Sequence, residues 1–194
     1  TIGTELILAI LDHRDDLELV GVKVYSPGKD GQDVGTLIGR EPIGLTATTD
    51  VDALLALKAD LVLYLPRVPS IDDVCAILES GANVATTAFL FHPQRTHAAD
   101  RDRVLAACKA GGTSVHGSGI NPGLLSGVLP LALSGMSRTI DKITFQERAD
   151  WTMYPSTSIT FDSCAFGQPI DTIGPKSTAY LSFMSGLFEE MVWF

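Results

Sequence analysis

Positive charge is scarce in this sequence. Its 194 residues include 14 lysines and arginines against 23 aspartates and glutamates, which gives a formal net charge of -9. Proteins that bind a nucleic-acid backbone need a basic face, and so do proteins held at a membrane by polybasic segments. The charge balance therefore predicts that neither nucleic acid nor a membrane surface is a partner.

Long apolar runs and paired cysteines are lacking as well. Runs such as residues 61–66 are far shorter than the roughly 18 residues that a membrane-spanning helix requires. The three cysteines, Cys75, Cys108 and Cys164, form no Cys-x-x-Cys pair, so we interpret them as packing residues and expect no metal site. No basic segment followed by an apolar stretch opens the chain. We expect a cytoplasmic protein.

The sequence does have enough apolar residues for packed cores, with 45% hydrophobic and 19% charged residues. It begins at Thr1 without an initiator Met, and it stops at Phe194 inside an apolar stretch without a helix cap. We therefore expect both ends to be cut, with a first strand missing. Without that strand the neighbouring strands would lack a partner, which would leave the fragment inactive alone.

Helical and strand patterns alternate along the first two thirds of the chain. Apolar spacing predicts helices over 2–11, 50–57, 70–80 and 97–110, and branched residues predict strands over 17–25, 59–65, 83–87 and 113–116. Such alternation with short loops is typical of βαβ crossovers. The pattern predicts an α/β fold with a Rossmann-like, doubly wound parallel sheet.

The pattern changes after Gly135. Residues 139–148 alternate polar and apolar side chains, which is typical of a half-exposed antiparallel strand. We therefore predict a dinucleotide-binding domain over 1–125 and part of an α+β domain over 126–194.

Ligands of doubly wound sheets bind at the carboxyl ends of the strands, so the loops there are the candidate site. Gly3 fits the last glycine of a G-x-G-x-x-G fingerprint, although an ordinary helix glycine is the alternative. After the strand over 17–25 no acidic residue is present, and Ser26 and Lys29 offer a hydroxyl and a cation. This favours NADP over NAD as the cofactor, while Asp30 remains an alternative ligand for a ribose.

The loops after the next two strands supply weaker candidates. Pro66 would lie beside the nicotinamide ribose, and Thr87 could donate to a carboxamide or a substrate. Phe89 and Phe91 could wall a pocket, and His92 could act as an acid or base, although a structural role is the commoner one for such residues.

The stretch from His116 to Gly123 is the most informative part of the sequence. Asn121 suits a helix N-cap and Pro122 the first helical turn, so we predict a helix N-terminus there. Gly119 and its neighbouring glycines would let a cofactor approach the backbone.

An ordered set of motifs resembles one family of oxidoreductases. The set comprises Tyr25-Ser26-Pro27 with Lys29, 35–39 (GTLIG), 48–50 (TTD), 59–64 (ADLVLY), 119–123 (GINPG) and 166–169 (FGQP). It is similar to the dihydrodipicolinate-reductase-like family, and most similar to its branch of 2,4-diaminopentanoate dehydrogenases and native amine dehydrogenases. The resemblance implies a nicotinamide cofactor, a substrate domain that forms a homodimer in the full-length protein, and hydride transfer to or from an imine carbon.

Two departures from that family bear on the substrate. The resemblance implies a His-His motif in true dihydrodipicolinate reductases, and Phe91-His92-Pro93 does not match it. It also implies a glutamate after the fifth strand in amine dehydrogenases, where this chain has Ala88 and Phe89. Proton transfer would then fall to His116, His92 or Glu147, each of which has an ordinary structural alternative.

Two functions follow from the sequence. The first is an NAD(P)-dependent oxidoreductase acting on a small amine, imine or carbonyl compound. The second is a dinucleotide-binding sensor or regulatory protein without catalysis, which the missing glutamate suggests.

Overall fold

The computed structural model describes residues 2–66, 68–90, 92, 98–154 and 156–192. The chain divides into two compact units, the first formed by Thr1–Ala88 and Ala99–His116 and the second by Phe89–Ala98 and Gly117–Phe194. The predicted domain boundary between residues 125 and 126 stays a prediction.

From Val51 onward, the first unit alternates helices and strands in the predicted order. Its elements are α1 (Ile2–His13), α2 (Val34–Leu37), α3 (Val51–Leu55), β1 (Leu61–Tyr64), α4 (Ile71–Glu79), β2 (Asn83–Thr86), α5 (Ala98–Gly111) and β3 (Val115–Gly117). The four predicted helices are confirmed, except that the predicted start of α5 at His97 lies outside the described residues.

Side-chain caps fix where two of these helices begin. The Ser70 side chain accepts a hydrogen bond from the Asp73 amide at the start of α4, and Asp50 accepts one from the Ala53 amide at the start of α3. Each cap satisfies an amide that has no carbonyl partner within the helix, so the local sequence specifies these ends. Gly81, with a φ of 98°, reverses the chain after α4.

The three strands form one sheet in the order β1-β2-β3. Strands β1 and β2 are parallel, with Leu61 opposite Asn83 and Tyr64 opposite Thr86. Because each crossover between consecutive strands contains a helix, this is the βαβ arrangement that the alternation predicted. The Rossmann-like α/β fold is confirmed.

The core of the first unit lies where α4 and α5 meet the sheet. Its buried side chains are Val74, Cys75, Ile77 and Leu78 from α4, Val84 from β2, and Val104 and Ala107 from α5. Burial raises the pKa of the Cys75 thiol, which keeps it protonated and agrees with a packing role. Cys108 and Cys164 are only partly buried.

The strand predicted over 17–25 is wrong. Over 17–25 the chain forms a single parallel bridge, Lys23 with Thr48, in place of a ladder. The partner segment turns away directly, since Thr46 bridges Asp33 in the antiparallel sense. Strand β1 was also predicted to be buried on both faces. This prediction is wrong at Leu61, whose side chain is exposed.

The second unit is built from helical segments. A π-helical stretch covers Ile120–Val128 and leads into α6 (Leu129–Ser134); short helical turns cover Trp151–Met153, Ser158–Ser163 and Ile170–Thr172, and α7 covers Pro175–Val192. The strand predicted over 139–148 is also wrong, because these residues are exposed and form no regular structure. Among the described residues of this unit after Gly117, no segment forms a strand that could pair with it.

No helix within the described ranges is long and apolar enough to cross a membrane.

Candidate functional site

Ser26 and Lys29, the two residues predicted to hold the cofactor after residue 25, lie on one turn of the first unit. Residues Pro27–Lys29 make one helical turn, in which the Lys29 amide donates to the Ser26 carbonyl at 2.9 Å. The Ser26 side chain makes no cap hydrogen bond, and Lys29 forms no ion pair with any described residue. A free hydroxyl and a free ammonium group on one exposed turn can bind a phosphate.

Asp30, the alternative ribose ligand, is engaged elsewhere. Its Oδ1 accepts from the Thr49 amide at 2.6 Å and from the Thr49 hydroxyl at 3.1 Å. The hydrogen bond donated by the Thr49 backbone amide is the largest cause that holds the pKa of the Asp30 carboxyl below its usual value. The carboxylate thus braces the turn against the start of α3.

The remaining cofactor candidates of the first unit show no such arrangement. Gly3 lies in the first turn of α1, and a Cβ atom there would meet no described atom within 4 Å, so the close packing expected of a fingerprint glycine is absent among the described residues. Pro66 follows β1 and is half-buried, while Arg67 lies outside the described residues. Thr87 is exposed after β2, and its buried neighbour Thr86 accepts from the Ala88 amide at 3.1 Å.

A separate apolar groove of about 320 Å³ runs between α1 and β1. Its apolar lining consists of Leu6, Ala9, Ile10, Leu17, Leu61 and Leu63. None of the candidate site residues lines it, so the groove is not the predicted site. Nor does any group of three or more histidine, cysteine or acidic side chains in the described part of the chain have a geometry that could hold a metal ion.

In the second unit, the loop after β2 receives a carboxylate from a distant helix. The backbone amide of His92 donates to Glu190 Oε2 of α7 at 2.9 Å. The loop lacks the glutamate that the family resemblance implies, and Phe91 lies outside the described residues. Sequence reasoning missed Glu190, since no local motif links residues so far apart in the chain.

Backbone packing explains why Gly117 is a glycine. A Cβ atom there would collide with the carbonyl oxygen of Leu90, and Leu90 is itself buried. The glycine therefore allows two backbones of the second unit to touch. His116, one residue earlier, is exposed on β3.

The Asn121 stretch corrects one prediction. Asn121 (φ -158°, ψ 111°) and Pro122 (φ -64°, ψ 150°) are extended and Gly123 has a φ of 132°, so the regular helix begins only after them. Asn121 is therefore not the N-cap, and Pro122 is not in the first helical turn. Instead the Gly123 amide donates to the Ser126 hydroxyl at 3.1 Å, which is the side-chain contact at this helix start. The glycine at 123 permits a φ that other residues rarely adopt.

Asn121 and Glu147, two candidate site residues with different predicted roles, form a hydrogen bond in this unit. Asn121 Nδ2 donates to Glu147 Oε2 at 2.8 Å. Asn121 was expected to hold cofactor and Glu147 to transfer protons, and sequence reasoning gave no sign that they touch. Asn121 Oδ1 is shielded from solvent and accepts no hydrogen bond from a described residue. The amide therefore has one half that binds the carboxylate and one half that is available for a donor.

The fold defines the class. A parallel sheet with helical crossovers is a Rossmann-like α/β domain. No family model matches the chain.

Comparison with individual proteins is more specific. An amine dehydrogenase of Streptomyces virginiae is 35% identical over 174 residues, which is 86% of this chain and 48% of that protein. The chain is therefore homologous to an amine dehydrogenase over most of its length, and the resemblance predicted from the motifs is confirmed. It spans about half the length of this relative.

A solved structure supports the fold. The structure of an amine dehydrogenase from Mycobacterium smegmatis superposes with a TM-score of 0.60 at 22% identity, covering 72% of this chain and 42% of that one. At this identity the comparison supports the fold alone.

Proposed function

We propose that this chain contains the cofactor-binding part of an NAD(P)-dependent oxidoreductase that acts on a small amine or imine. The observation that carries the proposal is the 35% identity to an amine dehydrogenase over 86% of the chain. When bound, the nicotinamide accepts a hydride from the substrate carbon or returns one to it. The residues of this chain bind and orient the cofactor and move protons.

We propose further that NADP is preferred over NAD. Ser26 and Lys29 present a hydroxyl and an ammonium group on one turn, and the carboxylate of that turn, Asp30, already accepts two hydrogen bonds from Thr49 through Oδ1. A 2′-phosphate would gain charge-assisted hydrogen bonds from Ser26 and Lys29, whereas a free ribose would have only Oδ2 of Asp30 as an acidic acceptor in the turn. Gly119, Pro66 and Thr87 remain proposed cofactor contacts, as does Gly3.

The first test compares both cofactors in the purified protein. Initial rates of NADP⁺ and NAD⁺ reduction are measured with a panel of small primary amines, and affinities are measured by calorimetry. We expect lower KM values and tighter binding for NADP⁺. Removing the cation in Lys29→Ala should raise the KM for NADP⁺ roughly tenfold, the effect of losing one phosphate contact, and leave the KM for NAD⁺ unchanged.

The matched control is Lys109→Ala, which removes an exposed lysine of α5 from outside the turn. It should leave both KM values unchanged. A preference for NAD⁺, or an equal loss with both cofactors in Lys29→Ala, would contradict the assignment of the turn. Cofactor binding without turnover of any amine or ketone would instead support the sensor function, which the absence of an acid at Ala88 and Phe89 favours.

A further inference from the structure

The contact between Asn121 and Glu147 has a fixed orientation. A carboxylate has only acceptor atoms, so the asparagine must turn its Nδ2 donor toward Glu147, as the 2.8 Å distance shows. Asn121 Oδ1 then faces away from the carboxylate. It is shielded from water and receives no hydrogen bond from a described residue. Buried acceptors are seldom left unsatisfied, so this oxygen can accept a hydrogen bond from a bound ligand.

The backbone holds Asn121 in place independently of Glu147. The Leu124 amide donates to the Gly119 carbonyl at 2.8 Å, and the Gly123 amide donates to Ser126 Oγ at 3.1 Å. The first bond closes a turn that contains Asn121, and the second holds the start of the helix that follows. Glu147, by contrast, lies in an exposed, irregular segment. The asparagine is thus the fixed member of the pair, and it positions the carboxylate.

The two side chains together present acceptors to a ligand. Glu147 contributes a negative carboxylate whose second oxygen makes no hydrogen bond with a described residue, and Asn121 contributes the unsatisfied Oδ1. A positively charged group with several N–H donors satisfies both, whereas a ketone or an aldehyde brings no donor at all. The pair is therefore complementary to an ammonium or iminium group.

We propose that Asn121 and Glu147 form the subsite for the substrate nitrogen. Glu147 is the base and Asn121 is the residue that positions it and accepts an N–H of the substrate. This assignment rests on the proposed function as an amine oxidoreductase. Glu147 would then take the role of the family glutamate, which is absent from the loop after β2.

The proton transfer balances as follows. The substrate R₂CH–NH₃⁺ gives one proton to a carboxylate oxygen of Glu147, leaving R₂CH–NH₂ with a free lone pair and a neutral carboxylic acid. As the hydride leaves the carbon for the nicotinamide, that lone pair becomes the second bond of R₂C=NH₂⁺. The substrate loses two electrons and the cofactor gains them.

The test uses the purified protein with NADP⁺ and the small primary amine that it oxidises fastest. Glu147→Gln keeps an acceptor for Asn121 but cannot take a proton, so kcat should fall by about 100-fold or more, while NADPH affinity measured by calorimetry stays unchanged. Glu147→Ala should be equally impaired, and added acetate should restore part of its rate, since a small carboxylate can replace the missing base. A purely structural residue would show no such rescue.

Asn121 is tested through its coupling to Glu147. Asn121→Ser should lower kcat about tenfold in the wild-type background and have little further effect on kcat in Glu147→Ala, because a positioning residue has nothing left to position. The KM for the amine should rise in both backgrounds, because Asn121 Oδ1 also accepts an N–H of the substrate. Asp141→Asn, which neutralises another exposed acid of the same segment, is the matched control and should retain the full rate.

The outcomes separate this inference from the function on which it rests. Wild-type amine oxidation together with an undiminished kcat in Glu147→Gln would overturn the subsite and leave the proposed function standing. Absence of amine oxidation in the wild-type protein would overturn both. Additive losses of kcat in the double variant would overturn the positioning role of Asn121.

Discussion

Among the described residues of the first unit, Asp33 is the carboxylate that accepts the most hydrogen bonds. Its two oxygens accept from the amides of Gly35 at 2.7 Å, Thr36 at 3.3 Å, Ile43 at 3.1 Å and Gly44 at 2.8 Å. Desolvation alone would raise the pKa of this carboxyl. The four hydrogen bonds from backbone amides outweigh desolvation, so the pKa lies below its usual value. One side chain thus caps α2 and closes the loop that follows it.

The lowered pKa predicts how stability depends on pH. Because the folded protein holds this carboxylate more strongly ionised than the unfolded chain, its stabilisation is complete above the unfolded pKa of about 3.9 and is lost as the pH falls through the folded value. Asp33→Asn should lower the Tm at pH 7 by several degrees, since an amide NH₂ would face N–H donors. The loss should shrink toward pH 3. Thermal unfolding followed by circular dichroism at the two pH values measures this.

Asp15→Asn is the matched control for that measurement. Asp15 is exposed and makes no hydrogen bond with another described residue, so its substitution should leave the Tm unchanged at both pH values. An Asp33→Asn deficit of the same size at pH 3 and pH 7 would contradict the assignment of the effect to the ionised carboxylate.

At the scale of elements, the contact between α4 and α5 depends on Gly111. A Cβ atom at Gly111 would collide with the carbonyl oxygen of Leu78, and the Thr113 hydroxyl donates to that same oxygen at 3.0 Å. The end of α5 therefore lies directly on the end of α4. Only a residue without a side chain allows the two backbones to approach this closely.

Substituting this glycine should separate the two helix ends. Gly111→Ala should destabilise the protein by about 2 kcal/mol or more, because overpacking forces backbone shifts. Gly186→Ala is the matched control: Gly186 lies inside α7 with no atom near its would-be Cβ, so alanine should be neutral or stabilising by about 0.5–1 kcal/mol. Urea unfolding of both variants checks the contrast. Equal effects would contradict the close-packing explanation.

The elements also show how far sequence alone determines the structure. Helices α3 and α4 were predictable because each carries its own cap, Asp50 or Ser70, within three residues of the amide that it binds. The strand predicted over 139–148 failed because a strand is completed by a partner elsewhere in the chain, and alternation says nothing about whether one exists.

The candidate site shows the same limit. The Gly-rich composition of residues 117–123 indicated an unusual backbone, but the residue preferences of Asn121 and Pro122 predicted a helix start where the chain is extended. The contact from Asn121 to Glu147 is a long-range one, so each residue could be named as a candidate and their pairing could not.

At the scale of the whole molecule, apolar exposure is concentrated in the second unit. Leu131 is 76% exposed and Met136 78% exposed, and Val128, Ile143, Met153 and Phe188 are exposed as well. Apolar surface of this extent favours association with another protein surface. It supports the predicted homodimer formed through the second domain, which stays a prediction.

Light scattering coupled to size exclusion measures the oligomeric state. We expect twice the monomer mass for the wild-type protein and a lower mass for Leu131→Asp, since a buried unpaired charge disfavours an apolar interface. Leu105→Asp, at an exposed position of α5 in the first unit, is the matched control and should keep the wild-type mass. A monomeric wild-type protein would contradict the prediction.

The hydrogen bond from the His92 amide to Glu190 has a consequence for biosynthesis. The chain is made from its N-terminus, and domains form as their residues leave the ribosome. Most of the parallel sheet can pair as soon as residues up to about 116 have emerged, because its helices and strands are close in sequence. The hydrogen bond at His92 can form only after nearly a hundred further residues have been synthesised, so this contact is added late in translation, well after the strands of the sheet can pair.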